Sequence, residues 1–195
     1  MNQDLSSFVF GKRGALLAVP AVVLAAFGKP SAFSIATGLP LAFAGEVVRM
    51  WAVGYSGVTT RGDTVTAPAL VTAGPYAYVR NPLYAGNVLT ATGFALAFTG
   101  KNSAPARVVL VGGALAAMLG VYAVIVPHEE GYLRTTFGAA FDDYCERVPR
   151  VVPALEPSEP QQGSYDPDVI ARAETRTWLT FGAMLGVLAL KALRA

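Results

Sequence analysis

Residues 108–126, from Val108 to Val126, run without one charged side chain, and this feature constrains the fold more than any other. A hydrocarbon core about 30 Å thick asks for roughly 20 apolar residues per helix. No water inside it satisfies backbone amides, so a run of this kind is helical. Three further stretches come close: Gly14–Phe27, Ala32–Val53 and Leu83–Thr99. The first is short, but Lys12 and Arg13 before it can snorkel to extend its reach. The second is interrupted near one end by Glu46 and Arg49, three residues apart on one helix face and expected to pair. A fifth, weaker stretch lies at Thr177–Leu190. Composition agrees: 53% of the 195 residues are hydrophobic and 14% charged, where a soluble domain carries about 25% charge. The sequence therefore predicts an all-α integral membrane protein with about five transmembrane helices, the first two joined as a hairpin by the turn GKPS. No small-x-small cleavage site follows the first stretch, so it is read as a helix and not a signal peptide.

A net charge of +2 with no Lys/Arg run gives no footprint for nucleic acid. The single cysteine, Cys145, forms no internal disulfide or multi-Cys metal site and is read as an ordinary thiol. With five spans and the N-terminus inside, the inner segments hold ten basic residues: Lys12, Arg13, Arg49, Arg61, Arg80, Arg134, Arg147, Arg150, Arg172 and Arg176. The outer segments hold five: Lys29, Lys101, Arg107, Lys191 and Arg194. The positive-inside rule then places the polar segments 54–82 and 127–176 on the cytoplasmic side. Small residues at Gly112, Ala116 and Gly120, and at Gly182 and Gly186, have the spacing of close helix packing, within one subunit or across a homodimer.

The first polar segment ends in GPYAYVRNPLYAG (74–86). Pro75 and Pro82 disfavour helix at the residues before them, so the chain should stay extended until Pro82 opens a helix, with Asn81 as N-cap. Tyr76, Tyr78 and Tyr84 gather ring faces near free amides there. They suit either a polar aromatic ligand or an interfacial belt. The second segment reads HEEGYLRTTFGAAFDDYCERVPRVVP (128–153). Leu133, Phe137, Phe141, Tyr144 and Val148 mark one face of an amphipathic cytoplasmic helix with a break expected at Gly138. Glu129 and Glu130 follow Pro127 where the fourth span should leave the membrane.

Taken together, GPYxxxRxPxYxG, then EExxLxxxFGxxFxxYxxxVPRxxP, with GEVVRMWAVG in the second span, resemble the isoprenylcysteine carboxyl methyltransferase and phospholipid methyltransferase superfamily over roughly 45–153. The resemblance implies an integral-membrane enzyme that uses S-adenosylmethionine. It implies cofactor contacts at Leu70, Val71, Tyr76, Asn81, Pro82, Leu83, Tyr84 and Glu129. A carboxylate such as Glu129 accepts from ribose or ammonium, and Arg80 or the amides near Asn81 suit the ligand's carboxylate. Two departures bear on the substrate. Asn81 stands where the family usually has histidine, as in the phosphatidylethanolamine branch, and Ile125 stands where prenylcysteine enzymes place a carboxylate-binding arginine. Arg150 or Arg134 would have to substitute. Both departures favour a phospholipid head-group amine over an isoprenylcysteine-like carboxylate. An amine must lose a proton before it attacks, and Glu130 and His128 are the candidate bases. The catalytic candidates are thus Glu130, His128, Arg80 and Arg150.

The competing readings are an NADPH-dependent sterol-type reductase, for which the first polar segment offers only Arg61 and Arg80 to meet a 2′-phosphate, and a non-catalytic scaffold. The expected division is a core over 1–153, a Pro-rich polar linker over 154–176 and an anchor helix over 177–195. The expected setting is a prokaryotic inner membrane, with the site facing the cytoplasm and a membrane lipid or lipidated molecule as partner.

Overall fold

The computed structural model describes residues 3–57 and 66–194; Arg61 lies outside them. Among the described residues seven helices follow in order: α1 (Gln3–Phe27), α2 (Ala32–Ser56), α3 (Pro82–Phe98), α4 (Ala104–Phe137), α5 (Ala139–Arg147), α6 (Asp168–Ala173) and α7 (Thr175–Leu193). A 3-10 turn at Gly74–Ala77 precedes α3, and the described residues contain no strand.

Among the described residues three helices are long and apolar enough to cross a membrane: Leu5–Phe27, Ala104–Phe137 and Thr175–Leu193. The other two expected spans, α2 and α3, fall outside that measure of length and composition. α3 has 17 residues and so rises about 26 Å, short of the hydrocarbon thickness. α2 buries Glu46 and Arg49. α4 runs further than expected, straight through Pro127 for 34 residues. Its length of about 51 Å carries Glu129 and Glu130 beyond the 30 Å core without a break. The helix ends at Gly138, whose φ of 54° turns the chain into α5.

α2 and α3 form the closest pair in the fold. A Cβ on Gly38 would lie 2.4 Å from the Gly93 carbonyl oxygen, and one on Gly45 would lie 2.4 Å from the Thr90 amide. These two glycines let the backbones touch, as small residues do in membranes. The spacing-based choice of Gly112, Gly120, Gly182 and Gly186 is not where this occurs, since a Cβ on any of them would meet nothing within 4 Å.

The ends of the bundle are tied by polar groups. Ser31 caps α2 in a reciprocal box with Ser34, and Ser34 Oγ also donates to the Ala97 carbonyl at 2.8 Å. The turns 28–31 and 99–103 share bonds from the Lys29 amide to Asn102 Oδ1 (2.8 Å) and from Asn102 Nδ2 to the Phe27 carbonyl. Lys191 Nζ donates to the Ala26 and Gly28 carbonyls at 3.2 and 3.0 Å. The C-terminal end of α7 therefore sits beside that of α1, with its cation on orphan carbonyls.

The segment 154–176, expected as a polar Pro-rich linker, is bonded to the motif region. The segment has the prolines that prevent a long helix, yet its backbone groups find partners in the motif region. The Thr72 and Ala73 amides donate to the Gln162 carbonyl at 2.9 and 3.1 Å, Ala154 donates to Tyr78, Ser158 to Ala77, and Asp166 to Gly54. Tyr165 packs its ring against Gly54 and Tyr55. α6 then buries Val169 and Ala173 against Val53 and Leu83.

Candidate active site

A cavity of about 1080 Å³ opens between α1, α3, α4 and α7. Its polar part is built where the chain enters α3. Gly74 has a φ of 61°, and a Cβ there would strike the Tyr55 ring, so only glycine makes this turn. Pro75 starts the short 3-10 turn, which corrects the expectation of an extended approach: proline suits the first turn of a helix, where its missing amide costs nothing. Tyr144 Oη donates to the Tyr76 carbonyl at 2.8 Å and fastens α5 to this turn.

Arg80 and Asn81 line the cavity and are also tied to the protein around it. Arg80 Nη1 donates to the Cys145 and Val148 carbonyls at 2.8 and 3.1 Å, and its Nε to Glu130 Oε1 at 3.2 Å. Asn81 sits at the N-cap position of α3, but its side chain makes no cap. Its amide instead reaches Glu130 Oε1 and the Arg150 carbonyl at 3.4 and 3.3 Å. Arg150 grips both Glu130 oxygens from the outer side, where its own side chain is 50% exposed. Glu130, only 4% exposed, is thus a knot joining α3, α4 and the 148–150 strap. Two guanidiniums and one amide occupy it, so it is not placed as a general base. The bond to Glu130 pushes the Arg150 guanidinium above its usual range.

Glu129, one residue earlier, points elsewhere. Tyr84 Oη donates to Glu129 Oε1 at 2.7 Å, and the Tyr84 ring lies 4.4 Å from that of Tyr122. Among the described residues the second Glu129 oxygen accepts no hydrogen bond. Leu70, Val71, Tyr76, Asn81, Pro82, Leu83, Tyr84 and Glu129 all line the one cavity, as do Arg80 and Glu130. His128 and Arg150 do not line it. His128 turns to α1, its ring 5.9 Å from Phe10. Burial raises the Tyr76 phenol well above the usual tyrosine range, so it stays protonated at neutral pH. Burial also pushes the Cys145 thiol up, in keeping with an unreactive thiol.

The residues suggested as a carboxylate clamp are likewise absent from the cavity. Ile125 is fully buried among Phe10, Met118, Tyr122 and Val126. Arg134 pairs with Asp142 at 2.7 Å on the exposed side of the α4–α5 corner.

A second polar group on the cavity wall was only half visible in the sequence. Arg49 is 3.7 Å from Glu46, as the spacing suggested. It also pairs with Glu174, at the start of α7, and donates to Thr177 Oγ1 at 2.8 Å and to Asn87 Oδ1 at 3.2 Å. Glu174 gave a faint signal as an acid just ahead of the last apolar run, a position favoured at helix N-termini.

Residues 33–140 match the family described as phospholipid methyltransferase. The chain is also similar to Protein-S-isoprenylcysteine O-methyltransferase B of Arabidopsis thaliana, at 30% identity over 125 residues, which cover 60% of this chain and 57% of that protein. The chain therefore spans little more than half the length of this relative. No solved structure matches the chain at a significant level. Neither match supports the reductase alternative.

Proposed function

The chain belongs to the phospholipid methyltransferase family, and from this premise we propose that it is an integral-membrane enzyme transferring a methyl group from S-adenosylmethionine to a membrane amphiphile. The amphiphile we infer is a phospholipid with a head-group amine. The observation that carries the reading is the Tyr84–Glu129 bond, which ties the two motif segments together on one cavity wall.

The donor set fits the cofactor. Glu129 has an oxygen available to the cavity for a ribose hydroxyl or an ammonium. The faces of Tyr76 and Tyr84 suit an adenine ring or a sulfonium. Leu70, Val71, Pro82 and Leu83 supply apolar walls. With Arg80 tied to Glu130 and two carbonyls, the amides at the start of α3 are the remaining donors for the ligand's carboxylate. When bound, S-adenosylmethionine supplies an electrophilic methyl on a sulfonium. The residues of this chain position the groups and exclude water, which is where most of the gain in such a displacement arises. Arg80, Asn81 and Arg150 are positioning residues that hold α3, α4 and the 148–150 strap in register through Glu130. The excess of inner lysines and arginines supports a cytoplasmic mouth for the cavity.

An amine is favoured over a carboxylate by the buried Ile125 and by Arg134 and Arg150 lying off the cavity. Methyl-labelled S-adenosylmethionine offered with phosphatidylethanolamine and with farnesylcysteine tests this. Label is expected in the phospholipid and not in the prenylcysteine. Label in the prenylcysteine alone would reverse the substrate assignment, and label in neither would overturn the methyltransferase reading.

A further inference from the structure

Outside the matched segment 33–140, α1 and α7 form a groove of their own. Lys191 on the Ala26 and Gly28 carbonyls sets the two helices side by side with their C-terminal ends together. Fourteen residues before Ala26 stands Lys12, and fifteen before Lys191 stands Arg176, about 21 Å and 22 Å along the two axes. These two cations therefore come level at the other end, and both line the cavity together with Arg13. Lys12 and Arg176 are exposed and make no ion pair among the described residues. Arg13 is fixed, with its Nη1 on the Phe10 carbonyl at 2.6 Å and its guanidinium 4.0 Å from the Phe10 ring centre. Between the two ends runs an apolar trough of about 330 Å³, lined by Leu17, Ala18 and Ala21 on one side and Thr180, Ala183 and Met184 on the other.

Building on the function proposed above, we infer that Lys12, Arg13 and Arg176 form a seat for the phosphodiester of one membrane phospholipid, whose acyl chain lies in the α1–α7 trough. Charge order on the wall selects the occupant. Arg13 and Glu129 line the same cavity. A zwitterionic lipid seated by its phosphate on the cationic rim carries its ammonium, two carbons on, into the cavity that Glu129 lines. A prenylcysteine offers the rim a single carboxylate in place of a phosphodiester, with no ammonium two carbons beyond it. A neutral lipid of the same chains would fill the trough but not the rim. Rim cations of this kind add attraction to lipid phosphate residue by residue.

The test reads binding without turnover. Full-length protein in detergent is loaded with phosphatidylethanolamine bearing a fluorescent acyl chain, and unlabelled lipids compete for it. Dioleoylphosphatidylethanolamine is expected to displace the probe, while dioleoylglycerol and farnesylcysteine do so at least roughly tenfold less well. The double variant K12Q/R176Q should weaken the phospholipid by roughly tenfold and leave S-adenosylhomocysteine binding unchanged. Equal competition by dioleoylglycerol, better competition by farnesylcysteine, or unchanged phospholipid affinity in K12Q/R176Q would each overturn the seat. The comparison of lipids on the unaltered protein stands even if the double variant is poorly folded. Failure here leaves methyl transfer to an amine intact. Conversely, a protein that binds phospholipid in this way but transfers no methyl loses only the enzymatic reading.

Discussion

Arg49→Ala is expected to lower the midpoint of thermal unfolding in detergent by on the order of 10 °C, or to prevent recovery of folded protein. Arg49 and Glu174 are 7% and 1% exposed, and their pair joins α2 to the first turn of α7. The same guanidinium reaches Asn87 on α3 and Thr177 on α7 and lies 3.7 Å from Glu46. Removing one member of a buried ion pair leaves the other charge uncompensated and costs about 3–5 kcal/mol. For a chain of this size each kcal/mol moves the midpoint by about 2–4 °C. Arg49→Lys keeps the charge but loses the planar fork that serves several acceptors at once, and should fall between the two. Circular dichroism during heating measures this. A midpoint for the alanine variant within about 1 °C of the parent would show that the cluster contributes nothing to holding the C-terminal helix.

Glu129→Gln is expected to reduce methyl transfer by roughly tenfold to a hundredfold, the range for a lost charged hydrogen bond, while helix content and unfolding temperature stay near the parent's. The substitution is chosen because glutamine keeps an oxygen that accepts from Tyr84 Oη, so the 2.7 Å link between α3 and α4 survives. Only the charge offered to a bound ribose or ammonium is lost. Steady-state kinetics with a phospholipid acceptor measure it. Activity within twofold of the parent, in a folded protein, would remove Glu129 from the site.

Much of this architecture was legible in the sequence. Charge-free apolar runs foretold the helices, because a membrane leaves the backbone few alternatives. The paired motifs foretold that Tyr84 and Glu129 face one cavity, although 45 residues separate them. The remainder needed three-dimensional partners. Glu129 and Glu130 are neighbours of one chemical type. Helical geometry sends them apart, so that one meets the cavity and the other the guanidiniums of Arg80 and Arg150. Gly-rich spacing marked α4 and α7, yet the backbones meet at Gly38 and Gly93, since spacing does not reveal which face finds a neighbour. Prolines at 153–167 did rule out a long helix. They said nothing of the amides at Thr72, Ala73 and Gly74, whose acceptors lie on Gln161 and Gln162. His128 looked like a base beside two acids, but its position on α4 turns it to Phe10.

The most direct measurement is a calorimetric titration of S-adenosylhomocysteine into the purified full-length protein and into Glu129→Gln. A saturable one-to-one heat in the parent, weakened roughly tenfold or more in the variant, is the expected result. No binding to the folded parent, or equal affinity in both, would contradict the assignment of this cavity to the cofactor.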